Sequence, residues 1–188
     1  MIDFQNLREH STAFPPYSFL GSAAEAAALP AEHRDQIHFL DAEASRFVAQ
    51  YLDASYMQRG TLGPLSSWPF RAGYFKHLET LPDARPAVLK KWLYERGIPF
   101  RHEVLLLGGT GSQEVLLTWK MVIKYADRIF RAHDWLVFDQ TLYWALFFDP
   151  HGLFTFGRDR EFDPAEEYQQ MYAQQELRRR YPFLQFPY

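Results

Sequence analysis

The chain contains no cysteine. That absence excludes disulfides, thiolate catalysis and cysteine-ligated zinc or iron–sulfur centres, and it suits a reducing compartment, so a cytoplasmic location is expected. Long apolar runs are also missing. The longest strictly apolar stretch, Leu142 to Phe148, is far short of the ~20 residues a helix needs to cross a bilayer, and no membrane association is expected. The opening MIDFQNLREH carries acids and lacks the basic start, apolar centre and small-residue cleavage site of a secretory signal. No export signal is predicted.

Reaction motifs are missing too. GGTGS at 108–112 has no Gly-Lys-Ser/Thr after it and reads as a hairpin loop rather than a phosphate cradle. The seven histidines form no HExxH or other recognised metal spacing, and Ser66, Ser67 and Ser112 have no nucleophile-elbow context. The nearest approach to a constellation is three pairs that folding could bring together: His102 with Glu103, His133 with Asp134, and Asp149 with His151. Accordingly, no catalytic, cofactor-binding or metal-binding residue is assigned, and no cofactor is expected.

Aromatic residues, by contrast, are abundant at 18%, enough both for a substantial core and for a binding face. In Leu142 to Phe148, alternate positions give two largely apolar faces, so this strand belongs inside a sheet. Asp149, Pro150, His151 and Gly152 supply a type I turn, Leu153 to Phe156 returns antiparallel, and Trp135 to Asp139 forms a further strand joined through Gln140 and Thr141. His102 to Leu107 and Val115 to Thr118 read as another hairpin, followed by a short helix from Trp119.

Helix punctuation is legible at four places. Ser22 with Glu25 is a capping box. Pro30 opens a longer helix carrying Ile37, Leu40, Ala44, Phe47, Val48, Tyr51 and Leu52. Pro86 opens another, with Val88, Leu89, Trp92 and Leu93 as its buried stripe and Gly97 as its stop. Asp163, Pro164 and Glu166 start a last helix that runs towards Arg180 and ends before Pro182. These elements predict an α+β fold: one antiparallel sheet with hairpins, packed by several amphipathic helices in a single compact domain. Residues 1–59 form an N-terminal helical part, and residues 71–188 supply the helix, sheet and C-terminal helix, with 60–69 as a long loop. The aromatic tail, Tyr181 to Tyr188, is expected to pack back on its own domain.

Charge is segregated: residues 1–70 carry −4, 71–131 carry +5 and 132–188 carry −4. In the basic middle, Arg85, Lys90, Lys91, Arg96 and Arg101 could track phosphates while Tyr74, Phe75, Trp92 and Tyr94 stacked bases. A pI near 6.2 argues against a dedicated nucleic-acid binder. The acidic segment after the central hairpin could dock a basic protein.

The layout from Trp119 to Gly157, with a strand ending in VFD, a Trp-bearing apolar strand, the DPHG turn and an FTFG strand, resembles small bacterial immunity proteins encoded beside polymorphic toxins. The resemblance implies a cytoplasmic protein that binds one cognate toxin domain and blocks its active site or substrate entry. Such families share no catalytic residues to carry over. The reading is therefore a non-enzymatic toxin inhibitor, with Asp149, His151, Asp159, Glu161 and Asp163 as the expected contact region. The alternatives are a small enzyme with a His/carboxylate or metal site, or a nucleic-acid-associated regulatory protein.

Overall fold

A computed structural model of the chain describes residues 2–57, 70–71, 73–82, 84–108, 113–131, 133–149, 151–161 and 164–186. A 3-10 turn, Leu7–His10, leads into β1 (Ser11–Thr12), β2 (Tyr17–Ser18), β3 (Gly21–Ser22), α1 (Ala23–Ala27), α2 (Ala31–Arg34), β4 (Ile37–Leu40) and α3 (Ala42–Ala54). Then come β5 (Phe75–Pro82), α4 (Pro86–Tyr94), β6 (Glu103–Gly108), β7 (Val115–Thr118), α5 (Trp119–Lys124), α6 (Ala126–Ile129), β8 (Trp135–Phe138), β9 (Trp144–Asp149), β10 (Leu153–Arg160) and α7 (Pro164–Arg180). The fold is α+β, as expected. Eight strands form one antiparallel sheet in the order β1-β4-β7-β6-β8-β9-β10-β5, while β2 and β3 pair separately. No helix among the described residues is long and apolar enough to cross a membrane.

Both faces of this sheet are covered, which explains why its central strands read as unbroken apolar runs instead of alternating. Leu105, Leu107, Leu136, Phe138 and Phe147 point into one core with α3, the end of α7 and the N-terminal residues Ile2 and Leu7. Val104, Leu106, Val137, Leu146 and Phe148 point into the other, with Leu89 and Leu93 of α4, Trp119 and Val122 of α5 and Ile129 of α6. The aromatic tail does pack back: Tyr181 meets Phe47 edge to face, and Phe186 stacks on Tyr51.

Local expectations fare unevenly. The Ser22–Glu25 capping box is present in full, and Gly97 ends the α4 turn at φ +73°. The long helix expected from Pro30 is not one element. Pro30 caps only the four-residue α2, Ile37–Leu40 is strand β4, and α3 begins anew at Ala42, where Asp41 accepts from the amides of Glu43 and Ala44. Two residues break the helical run: His38 lies opposite Leu116 in the β4–β7 pair, and Asp41 caps a fresh start. Thus the stretch 1–59 is not purely helical and contributes β1 and β4 to the main sheet. Val88, expected in the buried stripe of α4, is 50% exposed, while Leu89 and Leu93 are buried. Strand β9 starts at Trp144 instead of Leu142, because Leu142 takes φ +55° and turns its buried side chain into the first core. β10 runs on to Arg160, and the edge strand β5 was not anticipated. The long loop expected at 60–69, residues 109–112 of the expected glycine-rich hairpin loop, Pro150 and Asp163 lie outside the described residues.

Gly157 of β10 has a steric role. Phe75 of β5 lies over it so closely that a Cβ there would fall 2.2 Å from the Phe75 ring, which is the close approach that glycine in a strand permits.

Candidate functional site at one end of the sheet

Antiparallel register brings the start of β4, the end of β7, the starts of β6 and β9 and the end of β8 to one end of the sheet. Asp139, just after β8, is the polar centre there and is 4% exposed. Its Oδ1 accepts from the amide of Thr141 at 2.8 Å and from the Thr141 hydroxyl. Its Oδ2 lies 2.8 Å from His102 Nε2 and accepts from Trp144 Nε1 at 2.8 Å. A carboxylate offers about four acceptor positions, so this one is saturated and its burial is compensated. The Thr141 bonds close a tight turn, completed by Leu142 N donating to the Asp139 carbonyl at 3.1 Å.

Around this buried centre the surface is aromatic. Phe100 is 48% exposed and Tyr94 62% exposed, and their rings meet at 5.8 Å. Phe100 is fixed by its carbonyl, which accepts from Lys120 N, while the His102 carbonyl accepts from Trp119 N at 2.8 Å. Tyr143 is 49% exposed, and its amide donates to Thr141 Oγ1 at 3.2 Å. Beneath them Trp119 and Trp144 pack edge to face at 5.6 Å. Arg8 pairs with Glu103 at 2.6 Å on the same end.

Backbone strain collects here as well. Among the described residues, the non-glycine positions with positive φ are Tyr56, Leu142 and Asp159. Leu142 lies three residues after Asp139, at the end of the same turn. Asp159 lies one residue beyond the last β9–β10 pair, Trp144 with Arg158, and Tyr56 follows Ser55, whose carbonyl accepts from Arg160 Nη2. Strain of this kind costs about 1–3 kcal/mol per residue and persists where the surroundings fix it.

Asp159 and Glu161 lie at this end, Asp159 within 3.6 Å of His77 and Glu161 N bonded to the Tyr74 carbonyl. Asp149 and His151 form the turn at the opposite end of β10, about 26 Å away along eight strand residues. The expected contact region is thus divided between the two ends of the sheet, and Asp163 lies outside the described residues. Of the three His/acid pairs, His102 finds its carboxylate in Asp139 and not in neighbouring Glu103, which turns to Arg8. The base-stacking set is not assembled: Tyr74 and Phe75 are buried in the first core, and Trp92 packs beside Phe154 and Phe156 under Arg96. In the sequence, Asp139 reads only as the end of a strand. Its signal was the D-x-T spacing after VF, an Asx-turn pattern with nothing in it to indicate His102.

No group of three or more His, Asp or Glu residues among the described residues is placed to hold a metal ion. Comparison with protein-family models, with curated proteins and with solved structures finds no match.

Proposed function

We propose that this chain is a toxin-neutralising binding protein whose partner docks on the Asp139 end of the sheet. The observation that carries the reading is the set of exposed aromatic side chains, Tyr94, Phe100 and Tyr143, at the sheet end where the Asp139 carboxylate is buried and saturated. Interface anchors are enriched in aromatic side chains, and rigid ones lose little conformational freedom on binding. Asp159, Glu161 and Arg158 stand at the margin as charged rim. The Trp119–Gly157 resemblance to immunity proteins supplies the class of partner, a cognate toxin domain made in the same cell.

The test is a survival assay. The C-terminal part of the large reading frame next to this gene is expressed in bacteria with and without this protein, and the two chains are co-purified. Rescue that tracks co-purification supports the reading, and toxicity without rescue counts against it.

One observation favours a second reading, acid–base chemistry by His102. Its ring is oriented by Asp139 at 2.8 Å while its side chain stays 38% exposed. Yet no Ser, Thr or Lys side chain is hydrogen-bonded to His102 among the described residues, so the third member that such a pair activates is not in contact. This chemistry is the weaker alternative.

A further inference from the structure

On the face away from the aromatic tail, and at the other end of β8, lies a cleft of about 440 Å³, within the range typical of small-molecule sites. The β2–β3 hairpin and α1 form one wall, and the end of α6 with the segment leading to β8 forms the other. Its base is apolar: Leu20, Ile129 and Trp135 are buried, and Phe19 meets Trp135 edge to face at 6.5 Å. Its rim is cationic. Arg128, Arg131 and His133 all line the cleft and are exposed. Arg131 forms no ion pair among the described residues. Arg128 lies over the Tyr125 ring at 5.8 Å and donates only a long bond, Nη1 to the Leu20 carbonyl at 3.5 Å, while its charge helps lower the Glu25 carboxyl.

The one acid in the lining, Glu25, is already engaged. Its Oε2 accepts from the Ser22 amide and hydroxyl, both at 2.8 Å, and these bonds keep its carboxyl below the usual range. Two guanidinium groups therefore face one committed carboxylate. In addition, Trp135 Nε1 is buried and has no hydrogen-bond partner among the described residues, so the indole at the base keeps a polar demand that the fold does not meet.

We infer that this cleft binds a small amphiphilic anion, an aromatic carboxylate or sulfonate whose ring lies against Phe19 and Trp135 while its charge meets Arg128 and Arg131. Guanidinium pairs with carboxylate through two parallel hydrogen bonds, and the apolar base excludes inorganic anions as preferred ligands. This site is separate from the Asp139 end and does not depend on the toxin-binding reading.

The probe is 2-naphthoate, titrated into the full chain by calorimetry, with neutral 2-naphthalenemethanol in parallel. Saturable one-to-one binding is expected, with Kd on the order of 0.1 mM for a ligand of this size and affinity for the alcohol at least about tenfold weaker. The Arg128→Gln/Arg131→Gln variant should lose about tenfold in affinity, whereas Arg101→Gln/Lys120→Gln at the other sheet end should keep it. An indole N–H resonance, assigned to Trp135 by its loss in Trp135→Phe, should shift on titration in the unmodified chain. Absence of saturable binding, equal affinity for acid and alcohol, binding indifferent to the Arg128/Arg131 change, or an unmoved Trp135 signal would each overturn the inference.

Discussion

The two ends of the central sheet turn their strands by different means. At the β9–β10 hairpin the chain reverses cheaply: Asp149 Oδ1 accepts from His151 N at 2.9 Å, Gly152 N donates to the Asp149 carbonyl at 2.8 Å, and glycine takes the positive φ of +94°. At the Asp139 end, Leu142, Asp159 and Tyr56 hold positive φ without being glycine, and a buried carboxylate with four donors fixes the turn that carries Leu142. The first end uses the residue that suits the turn. The second spends bonding on a shape that residues of these types disfavour, and what that shape presents outward is Tyr143, Phe100 and Tyr94.

Removing the central carboxylate should separate the ends most clearly. Asp139→Ala leaves Trp144 Nε1, Thr141 N and His102 without their acceptor, and a loss of about 3 kcal/mol or more is expected in urea unfolding. A loss under about 1 kcal/mol would mean that the carboxylate does not organise this end. Gly157→Ala drives a Cβ into Phe75 and should cost about 1–3 kcal/mol, seen as a lower melting temperature. At the hairpin, Gly152→Ala imposes positive φ on a residue with a side chain and should cost about 1–2 kcal/mol.

Acid should act through His38, at the start of β4 on the Asp139 end. Burial, and then the charge of Arg8, hold its imidazole below the ordinary histidine range, and its Nε2 is buried without a partner among the described residues. The unfolded chain therefore takes up this proton first. Stability from this group is intact above about pH 6.5 and is lost as pH falls through the lower folded value. His38→Gln should flatten the fall in melting temperature between neutral pH and pH 5, and an unchanged profile would remove His38 from the explanation. The smallest effect is expected from Asp159→Gly. It relieves positive φ while giving up only an exposed contact with His77, so stability should rise by up to about 1 kcal/mol.

Much of the scaffold could be read from residue pattern because the signals were local. The capping box at Ser22, the glycine stop at Gly97, and the apolar strands β6 to β9 each rest on neighbours in sequence. β4 was hidden inside helical spacing, since Ile37 and Leu40, three apart, suit one helix face, whereas in the strand they point into opposite cores. β5 was missed because an edge strand with Lys76, His77 and Glu79 shows no apolar run, and such charges are usual at an edge. The candidate site was the least legible part. His102 and Asp139 are 37 residues apart and meet through β6–β8 register, whereas the sequence drew attention to acids clustered along β10 that the strand itself carries to opposite ends.

The most direct measurement is calorimetric affinity of two paired variants for the cognate toxin domain recovered by the survival assay. Phe100→Ala/Tyr143→Ala alters the Asp139 end and Asp149→Lys/His151→Glu alters the hairpin, both sets being exposed or partly exposed positions. The aromatic variant should fold with stability within about 1 kcal/mol of the parent, and the hairpin variant, which gives up the Asp149 Oδ1 bond to His151 N, should stay folded with a loss of about 0.5–1.5 kcal/mol. The aromatic pair should lose about 30-fold or more in affinity, as truncated anchors do, while the hairpin pair keeps the parent value. Loss confined to the hairpin pair, with the aromatic pair unaffected, would contradict the assignment of the partner face.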